Sequence, residues 1–479
     1  EVMEAMQAFN ERVAEIDGYY AENVLPFNSG LEIDSIGDIV PSIMTSLSHN
    51  FADETGMSRS FQVRQELSIF NQWFFSPQYL MNSPTMSTFA RVMRESVQTA
   101  TWTTWALTGV LWGGTVLAVL SPFDGVGGDY VAGTAAMSQT ARALNMGKNV
   151  VTANKALVAK HGIEILKIAE KNNCKIAFEA AVAGGVPVIK VLKEFLLSNG
   201  IKKVFGILNG TSNYILSKME QTNKDFSVIL KDAQNMGYAE SDPSFDIDGT
   251  DTAHKLAILS MIAYGKVLDF KSVFMEGIEK IQIDDIKFAD TLGYKIKLLG
   301  ITQKIKGKVS QFVYPCLVNK KATIASVNNV NNGIFIESDF SESLFLQGQG
   351  AGDYPTATSV ISDIIDISNK KTANLFDLKY KNLNKIENFQ LMDRVGSYYL
   401  RLSTIDKPGV IAGISKQFKE HNISMKSMLQ KDSGIKKGQA TIVLTTHNCR
   451  EKDMQNAIKK INNLDFVMKK TISYRIEMA

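Results

Sequence analysis

The first third of this chain contains no lysine. Residues 1–147 hold six arginines, fifteen acidic residues and all four tryptophans, whereas every lysine lies at or after Lys148. The formal net charge of +3 hides this division and by itself gives no signal of nucleic-acid binding. Such an abrupt change in composition predicts two segments of different ancestry that meet near Gly147.

Cysteine and histidine are also scarce. Cys174, Cys316 and Cys449 stand far apart, and the five histidines form no zinc-binding pattern. The sequence therefore predicts reduced thiols in a cytoplasmic protein and no disulfide framework. No signal-peptide pattern opens the chain, which begins with Glu1 instead of methionine, as a processed chain or a fragment does.

Charged residues are absent from residues 96–123. The centre of this run, residues 102–120, is nineteen residues long, close to the roughly 20 that cross a bilayer as a helix. Trp102 and Trp105 lie where an interfacial aromatic belt would. This segment predicts a membrane-spanning or membrane-inserted helix within a mostly helical block, residues 1–146, that resembles no known family. A buried core helix is the alternative interpretation.

A complete GxGxxG turn is missing before Gly147. Residues 124–130 read DGVGGDY, between an apolar run at residues 116–120 and a helix-like segment at residues 130–145. This stretch lacks a third glycine, and no acidic residue follows about 20 positions later to hold a ribose. A turn of small residues is therefore favoured over a nucleotide-binding turn.

The most informative stretch present is residues 233–255, AQNMGYAESDPSFDIDGTDTAHK. It holds five carboxylates within a dozen residues and runs directly into an apolar segment with helical periodicity. Asp251 and Lys255 are four positions apart at the start of this helix, so both lie on one face with the acid nearer the N-terminus. A solvated acidic loop with a surface ion pair is the alternative.

The spacing in this stretch resembles the signature of homoserine dehydrogenases. The matching positions are Ala233, Gly237, Tyr238, Ala239, Asp242, Pro243, Asp246, Ile247, Gly249, Asp251 and Lys255. Four more segments agree in the same order: VTANK at 151–155, FEAAVAGGVP at 178–187, NGTSNY at 209–214 and GQGAG at 348–352. The resemblance begins near Gly147. It implies a catalytic and substrate-binding domain at residues 147–369.

Residues 397–479 follow the order strand, helix, strand, strand, helix, strand, with DKPGV at the first turn. They resemble an ACT domain, a ligand-sensing module; another ferredoxin-like domain is the alternative. A polar linker is predicted at residues 370–396. The expected fold class is therefore α/β, an α+β substrate domain with the remnant of a Rossmann-like domain, followed by a βαββαβ ferredoxin-like domain.

The resemblance implies reversible reduction of L-aspartate 4-semialdehyde to L-homoserine with NADP or NAD, in the biosynthesis of threonine, methionine and isoleucine. Lys255 is implied as the proton donor, held by Asp251 on the same helix face. Lys155 is implied between cofactor and substrate, and Gly352 beside the nicotinamide. The implied substrate-binding residues are Glu240, Asp246, Asp251, Gly210 and Thr211.

A sodium site is also implied by the resemblance, formed by Glu179 and the carbonyls of Val182, Gly184 and Val186. A glycine-rich turn that needs no ion is the alternative. The family further implies a homodimer or higher homo-oligomer, formed through the substrate-domain sheet. It also implies an amino-acid effector, threonine being the usual one, at the ACT domain.

Two other functions compete with the enzyme. One is a chimeric or truncated chain that binds substrate and effector without turnover and carries a membrane or assembly segment. The other is an ACT-based regulatory subunit that uses the cofactor domain of another chain. The missing glycine-rich turn favours these two, whereas the complete set of acid–base positions favours the enzyme.

Overall fold

The computed structural model describes residues 109–110, 116–119, 129–239, 242–267, 269–368, 380–432 and 438–477. The strands are β1 Gly109–Val110, β2 Val116–Val119, β3 Asn149–Thr152, β4 Ile176–Ala177, β5 Ile201–Ile207, β6 Phe274–Met275, β7 Tyr294–Ile305, β8 Lys308–Asn319, β9 Asn331–Ser338, β10 Ser343–Gln349, β11 Val395–Ile405, β12 Met425–Asp432, β13 Gln439–Thr446, β14 Cys449–Arg450 and β15 Ile472–Glu477. The helices are α1 Asp129–Asn145, α2 Lys155–Lys171, α3 Val188–Lys190, α4 Gly210–Thr222, α5 Phe226–Asn235, α6 Ser244–Ile247, α7 Thr250–Tyr264, α8 Ile283–Thr291, α9 Asp353–Ser368, α10 Val410–Glu420 and α11 Glu451–Ile461.

These residues divide into two compact units. The first contains the described residues up to Leu157, together with Glu164–Ala181 and Gly352–Tyr380. The second contains Val158–Ile163, Val182–Ala351 and the described residues from Lys381 onward.

The first unit contains a four-stranded sheet in the order β1-β2-β3-β4. Strands β2, β3 and β4 are parallel, and α1 and α2 connect them in sequence. Leu144 of α1 is fully buried in a cluster with Val150, Leu157 and Ile165. This core combines residues from both sides of Gly147, so the change in composition there falls inside one folded unit.

The membrane-spanning helix predicted at residues 102–120 is wrong where the structure describes that segment. Gly109–Val110 and Val116–Val119 are strands, and none of the described helices is long and apolar enough to cross a membrane. A strand of a parallel sheet is buried on both faces and therefore has the same uninterrupted apolar sequence as a buried helix. The rest of that segment and the helices predicted in residues 1–108 lie outside the described residues.

The second unit is built on an eleven-stranded sheet. Nine strands follow the order β10-β9-β5-β7-β8-β15-β11-β13-β12, while β6 and β14 pair with β8 and β11 at the side. Helix α7 packs on β7 at Gly300, where an added Cβ would lie 3.1 Å from the side chain of Thr252. The glycine therefore lets the helix approach the sheet closely.

The C-terminal part of this unit is the predicted ferredoxin-like domain. Its strands lie in the order β15-β11-β13-β12 with antiparallel neighbours, and α10 and α11 pack on the sheet. Ile414 and Phe418 of α10 meet Met454 and Ile461 of α11 in one buried cluster. The βαββαβ order predicted from the sequence is confirmed.

The second half of the predicted linker packs on the substrate-domain sheet. The amide of Asn384 donates to the carbonyl of Gly265 at 2.8 Å, and the amide of Phe389 donates to the carbonyl of Val309 at 2.9 Å. Leu391 is buried beside the core of β7 and β8. Backbone bonding of this kind fixes the path of the chain as it enters the ferredoxin-like domain.

Candidate active site

Helix α7 begins where the acidic stretch ends, at a glycine in the left-handed region. Gly249 has a φ of +94°, and the side chain of Asp248 accepts a hydrogen bond from the amide of Thr250 at 2.8 Å. A side chain at Gly249 would be strained by this backbone and would press on Val313. The turn places Asp251 in the first turn of α7 and Lys255 one turn later, as the sequence predicts.

Lys255 and Asp251 form a buried ion pair. The Nζ of Lys255 donates to Asp251 Oδ2 at 2.8 Å and to the carbonyl of Leu208 at 2.7 Å. The two residues are only 8% and 2% exposed, so water competes weakly for these bonds. This geometry excludes the alternative of a solvated surface pair.

Asn209 joins two of the carboxylates. Its Nδ2 donates to Asp246 Oδ1 at 2.7 Å and to Asp251 Oδ2 at 2.8 Å, while its Oδ1 accepts from the amide of Ser212 at 2.7 Å. The bonds to the amide offset the repulsion between the carboxylates. Sequence reasoning assigned Asn209 no role. The motif NGTSNY indicates that Asn209 caps a helix, but the contacts of its Nδ2 with the two carboxylates depend on tertiary structure.

Gly210 and Thr211 lie at the start of α4, as predicted. An added Cβ on Gly210 would lie 2.7 Å from the carbonyl of Val330, so only glycine fits there. The hydroxyl of Thr211 donates to the carbonyl of Tyr238 at 2.7 Å. The resemblance implies Thr211 as a substrate-binding residue. Because the proton of its hydroxyl is engaged, Thr211 offers its oxygen as an acceptor in this conformation. Glu240 lies outside the described residues.

The contacts of Asn209 predict how its variants behave. Asn209→Ala is expected to lower kcat/KM by about 10- to 100-fold, a loss equivalent to about one net hydrogen bond to a carboxylate at about 1.5–3 kcal/mol. Asn209→Asp keeps the helix cap but sets a third carboxylate against Asp246 and Asp251, so it is expected to be worse. Steady-state kinetics of the two variants and wild type measures these changes in kcat/KM. If Asn209→Asp is better than Asn209→Ala, capping is the whole role of this residue.

A buried lysine of the sheet contacts the first turn of α4. Lys297 of β7 donates to Asn213 Oδ1 at 3.0 Å and to the carbonyl of Val327 at 2.6 Å. Burial, reinforced by the nearby charge of Lys295, lowers the pKa of Lys297 to about 7. The sequence shows nothing unusual at this lysine, because its burial results from the pairing of long strands.

Lys297 is expected to make stability depend on pH. Its pKa falls from the usual 10.5 to about 7 on folding, so between these values the unfolded chain binds more protons. The free energy of unfolding therefore rises with pH across this window, by at most about 1.4 kcal/mol per pH unit from this group. Urea unfolding from about pH 7 to 9 should show a flatter rise in Lys297→Met than in wild type or in the exposed Lys321→Met. Parallel curves for all three proteins would contradict this assignment.

The first unit holds Lys155 and Gly352. Lys155 starts α2 directly after the carboxyl end of β3, where parallel sheets bind their ligands. Beside it, Asn154 caps the helix by accepting from the amide of Leu157 at 2.8 Å. In the described part of the chain the Nδ2 of Asn154 is buried without a hydrogen-bond partner. A buried donor at this place fits the edge of a nicotinamide cofactor.

Gly352 precedes α9, which packs beside β3. Its φ of +114° is accessible to glycine and strained for other residues. The absence of a side chain is consistent with the predicted close approach of the nicotinamide end. Both Lys155 and Gly352 belong to the first unit.

The residues of the predicted sodium site belong to different units. Glu179 is buried in the first unit, whereas Val182, Gly184 and Val186 belong to the second. Ala183 and Gly184 both have positive φ, and the amide of Val186 donates back to the carbonyl of Ala183 at 2.8 Å. No group of three or more histidine, cysteine, aspartate or glutamate side chains among the described residues is arranged to hold a metal. The sodium site stays a prediction.

Family comparisons agree with this architecture. The NAD binding domain of homoserine dehydrogenase matches residues 130–179, the homoserine dehydrogenase family matches residues 187–365, and the ACT domain matches residues 398–466. These matches define an NAD(P)-dependent oxidoreductase with a C-terminal ACT domain.

Individual relatives identify the family. The chain is 41% identical over 342 residues to homoserine dehydrogenase of Neisseria gonorrhoeae, covering 70% of this chain and 78% of the relative. It is 42% identical over 330 residues to the enzyme of Helicobacter pylori, covering 69% and 77%. The crystal structure of a homoserine dehydrogenase from Thiobacillus denitrificans superposes with a TM-score of 0.70 at 38% identity, covering 76% and 82%. The chain belongs to the homoserine dehydrogenase family.

The predicted start of the resemblance is corrected by these matches. The NAD-binding match begins at residue 130, ahead of Gly147, and includes α1, β3 and α2. The turn of small residues favoured at residues 124–130 stays a prediction, because the match begins only at residue 130. Residues 120–128 themselves lie outside the described residues.

Proposed function

We propose that Lys255, Asp251 and Asn209 form the acid–base centre for reversible reduction of L-aspartate 4-semialdehyde to L-homoserine. The observation that carries this proposal is the buried Lys255 Nζ, 2.8 Å from Asp251 Oδ2 and 2.7 Å from the carbonyl of Leu208. NAD(P)H, when bound, supplies the hydride to the aldehyde carbon. The ammonium of Lys255 donates a proton to the aldehyde oxygen and stabilises the negative charge that develops there.

Asp251 holds the ammonium of Lys255 in place for this step. It accepts from Lys255 and from Asn209 at the same oxygen, so the lysine is oriented before substrate arrives. In the oxidative direction the same amine accepts the proton of the homoserine hydroxyl. The buried setting strengthens these contacts, because fewer water molecules screen them.

Substrate is held by groups around this centre. Asp246 and Glu240 are assigned to the ammonium of the amino-acid substrate, since carboxylates are the natural partners of a cation. The oxygen of Thr211 adds an acceptor, and Gly210 leaves room for backbone contact. Lys155, Asn154 and Gly352 are assigned to the cofactor side of the reaction.

Further assignments follow from membership of the family. We propose a homo-oligomer formed through the substrate-domain sheet and an amino-acid effector, threonine being the family's usual one, at the ACT domain. The sodium site of Glu179, Val182, Gly184 and Val186 is retained as a proposal. A cytoplasmic location is supported by the three unpaired thiols, of which Cys316 and Cys449 are buried.

Initial rates with L-homoserine test the proposed function. The purified chain is expected to form NADPH or NADH from L-homoserine and NADP⁺ or NAD⁺, with D-homoserine and L-serine as controls. The comparison of the two nucleotides also determines cofactor preference. Binding of L-homoserine without turnover on either nucleotide would support the non-catalytic alternative. Turnover that appears only after a second homoserine dehydrogenase chain is mixed in would support the regulatory-subunit alternative.

A further inference from the structure

The ACT domain and the substrate domain share one sheet through β15. This strand runs parallel to β8, with Arg475 opposite Cys316. Arg475 is 4% exposed, and its guanidinium lies 4.5 Å from the centre of the Tyr314 ring. A buried arginine is costly unless its charge is paired and its N–H groups are hydrogen-bonded.

Arg475 has one carboxylate partner in each domain. Its Nη2 and Nε donate to Glu451 at 2.8 and 3.0 Å, and Glu451 is the first residue of α11 in the ACT domain. Its Nη1 donates to Glu276 Oε2 at 2.6 Å, and Glu276 follows β6 of the substrate domain. A shift of α11 therefore changes the position of the guanidinium that holds Glu276.

The residues after Glu276 lie directly on the turn that carries the substrate-site carboxylates. The amide of Ile278 donates to the carbonyl of Ile247 at 2.8 Å. An added Cβ on Gly277 would lie 2.3 Å from the same carbonyl and 2.6 Å from the Cα of Asp248. The backbone of residues 277–278 packs directly on the backbone of residues 247–248, with no side chain between them. Neither segment can therefore move far without the other.

This turn determines where the acid–base centre lies. Asp246 precedes Ile247 and accepts from Asn209, and Gly249 two residues later starts the helix of Asp251 and Lys255. The physical connection therefore runs from Glu451 through Arg475 and Glu276 to the backbone of the turn. Every contact in it is a direct hydrogen bond or backbone packing.

We propose that Arg475 and Glu276 are positioning residues that set the Asp246–Gly249 turn according to the state of the ACT domain. The catalytic consequence rests on the proposed function, whereas the structural coupling does not. A second bridge, Arg401 to Asp285 at 2.6 Å, joins the same two domains, and its carboxylate belongs to the first turn of α8. It supplies the matched control.

Glu276→Gln tests the connection with little change of shape. The side chain of Glu276 is 43% exposed, and Arg475 keeps its buried partner Glu451, so the variant is expected to fold. The variant is expected to raise KM for L-homoserine by about fivefold or more, the usual lower range of coupling between sites, with kcat within about twofold of wild type. Amide hydrogen exchange in the peptides covering residues 242–249 and 276–280 should become faster. Addition of L-threonine should change KM less in the variant than in wild type.

The controls separate this proposal from general loosening and from the proposed function. Arg401→Lys, which keeps a positive charge beside the buried Asp285, and the surface variant Glu387→Gln are expected to leave exchange in residues 242–249 unchanged. Equal exchange and equal KM in Glu276→Gln and wild type, or the same change in Arg401→Lys, would overturn the proposal. If wild type fails to oxidise L-homoserine while Glu276→Gln still exchanges faster at the turn, the coupling stands and the proposed function fails.

Discussion

Lys255→Met is expected to reduce kcat by about 10²–10⁴-fold while leaving cofactor binding intact. The methionine matches the length of the lysine stem but has no proton to donate to the aldehyde oxygen. The loss should appear in both directions of the reaction, since the same group donates the proton in reduction and accepts it in oxidation. Initial rates with L-homoserine and with L-aspartate 4-semialdehyde measure the effect.

Asp251 would be left buried without its ammonium partner in this variant, so folding must be checked alongside activity. The double variant Lys255→Met with Asp251→Asn removes both charges and is expected to recover stability without recovering turnover. A kcat within about threefold of wild type in a folded Lys255→Met protein would remove Lys255 from the proton-transfer role.

Asp251→Asn is expected to give the second largest effect, a loss of kcat of about 10²-fold or more. The variant removes the negative charge that orients the Lys255 ammonium. A neutral amide oxygen in the place of Asp251 Oδ2 accepts more weakly from Lys255 and from Asn209, which both donate to that oxygen at 2.8 Å.

Asp246→Asn is the matched control for this prediction. Both carboxylates accept from Asn209, but only Asp251 contacts Lys255. Asp246→Asn should therefore raise KM for substrate more than it lowers kcat. Equal loss of kcat in the two variants would show that the carboxylates act together on substrate charge, and that orientation of Lys255 is not the special role of Asp251.

Part of the fold and of the active site could be predicted from the sequence alone. The spacing of Asp251 and Lys255 predicted one helix face because helical periodicity is local, and the structure confirms it. The contacts of Asn209 with Asp246 and Asp251 could not be predicted, because they join residues about forty positions apart in the sequence. Lys297 was missed because burial of a strand lysine depends on which strands become its neighbours.

The strands of the first unit show a second limit of prediction from sequence. Val116–Val119 was included in a predicted membrane helix because an apolar run has no periodicity that separates a buried strand from a buried helix. The order of elements in the ACT domain was correct from its turns and periodicities. Its junction with β8 through Arg475 was not foreseen, because pairing between strands of different domains leaves no local pattern.

Transfer of deuterium from carbon 4 of L-homoserine to the nicotinamide ring tests the central claim most directly. The full chain is incubated with L-homoserine deuterated at that carbon and the oxidised cofactor, and the reduced cofactor is analysed by mass spectrometry. Wild type is expected to give one deuterium in the reduced nicotinamide, and Lys255→Met is expected to lower the rate by about 10²-fold or more. Reduced cofactor without deuterium, or no reduced cofactor from wild type under conditions where both ligands bind, would contradict the central claim.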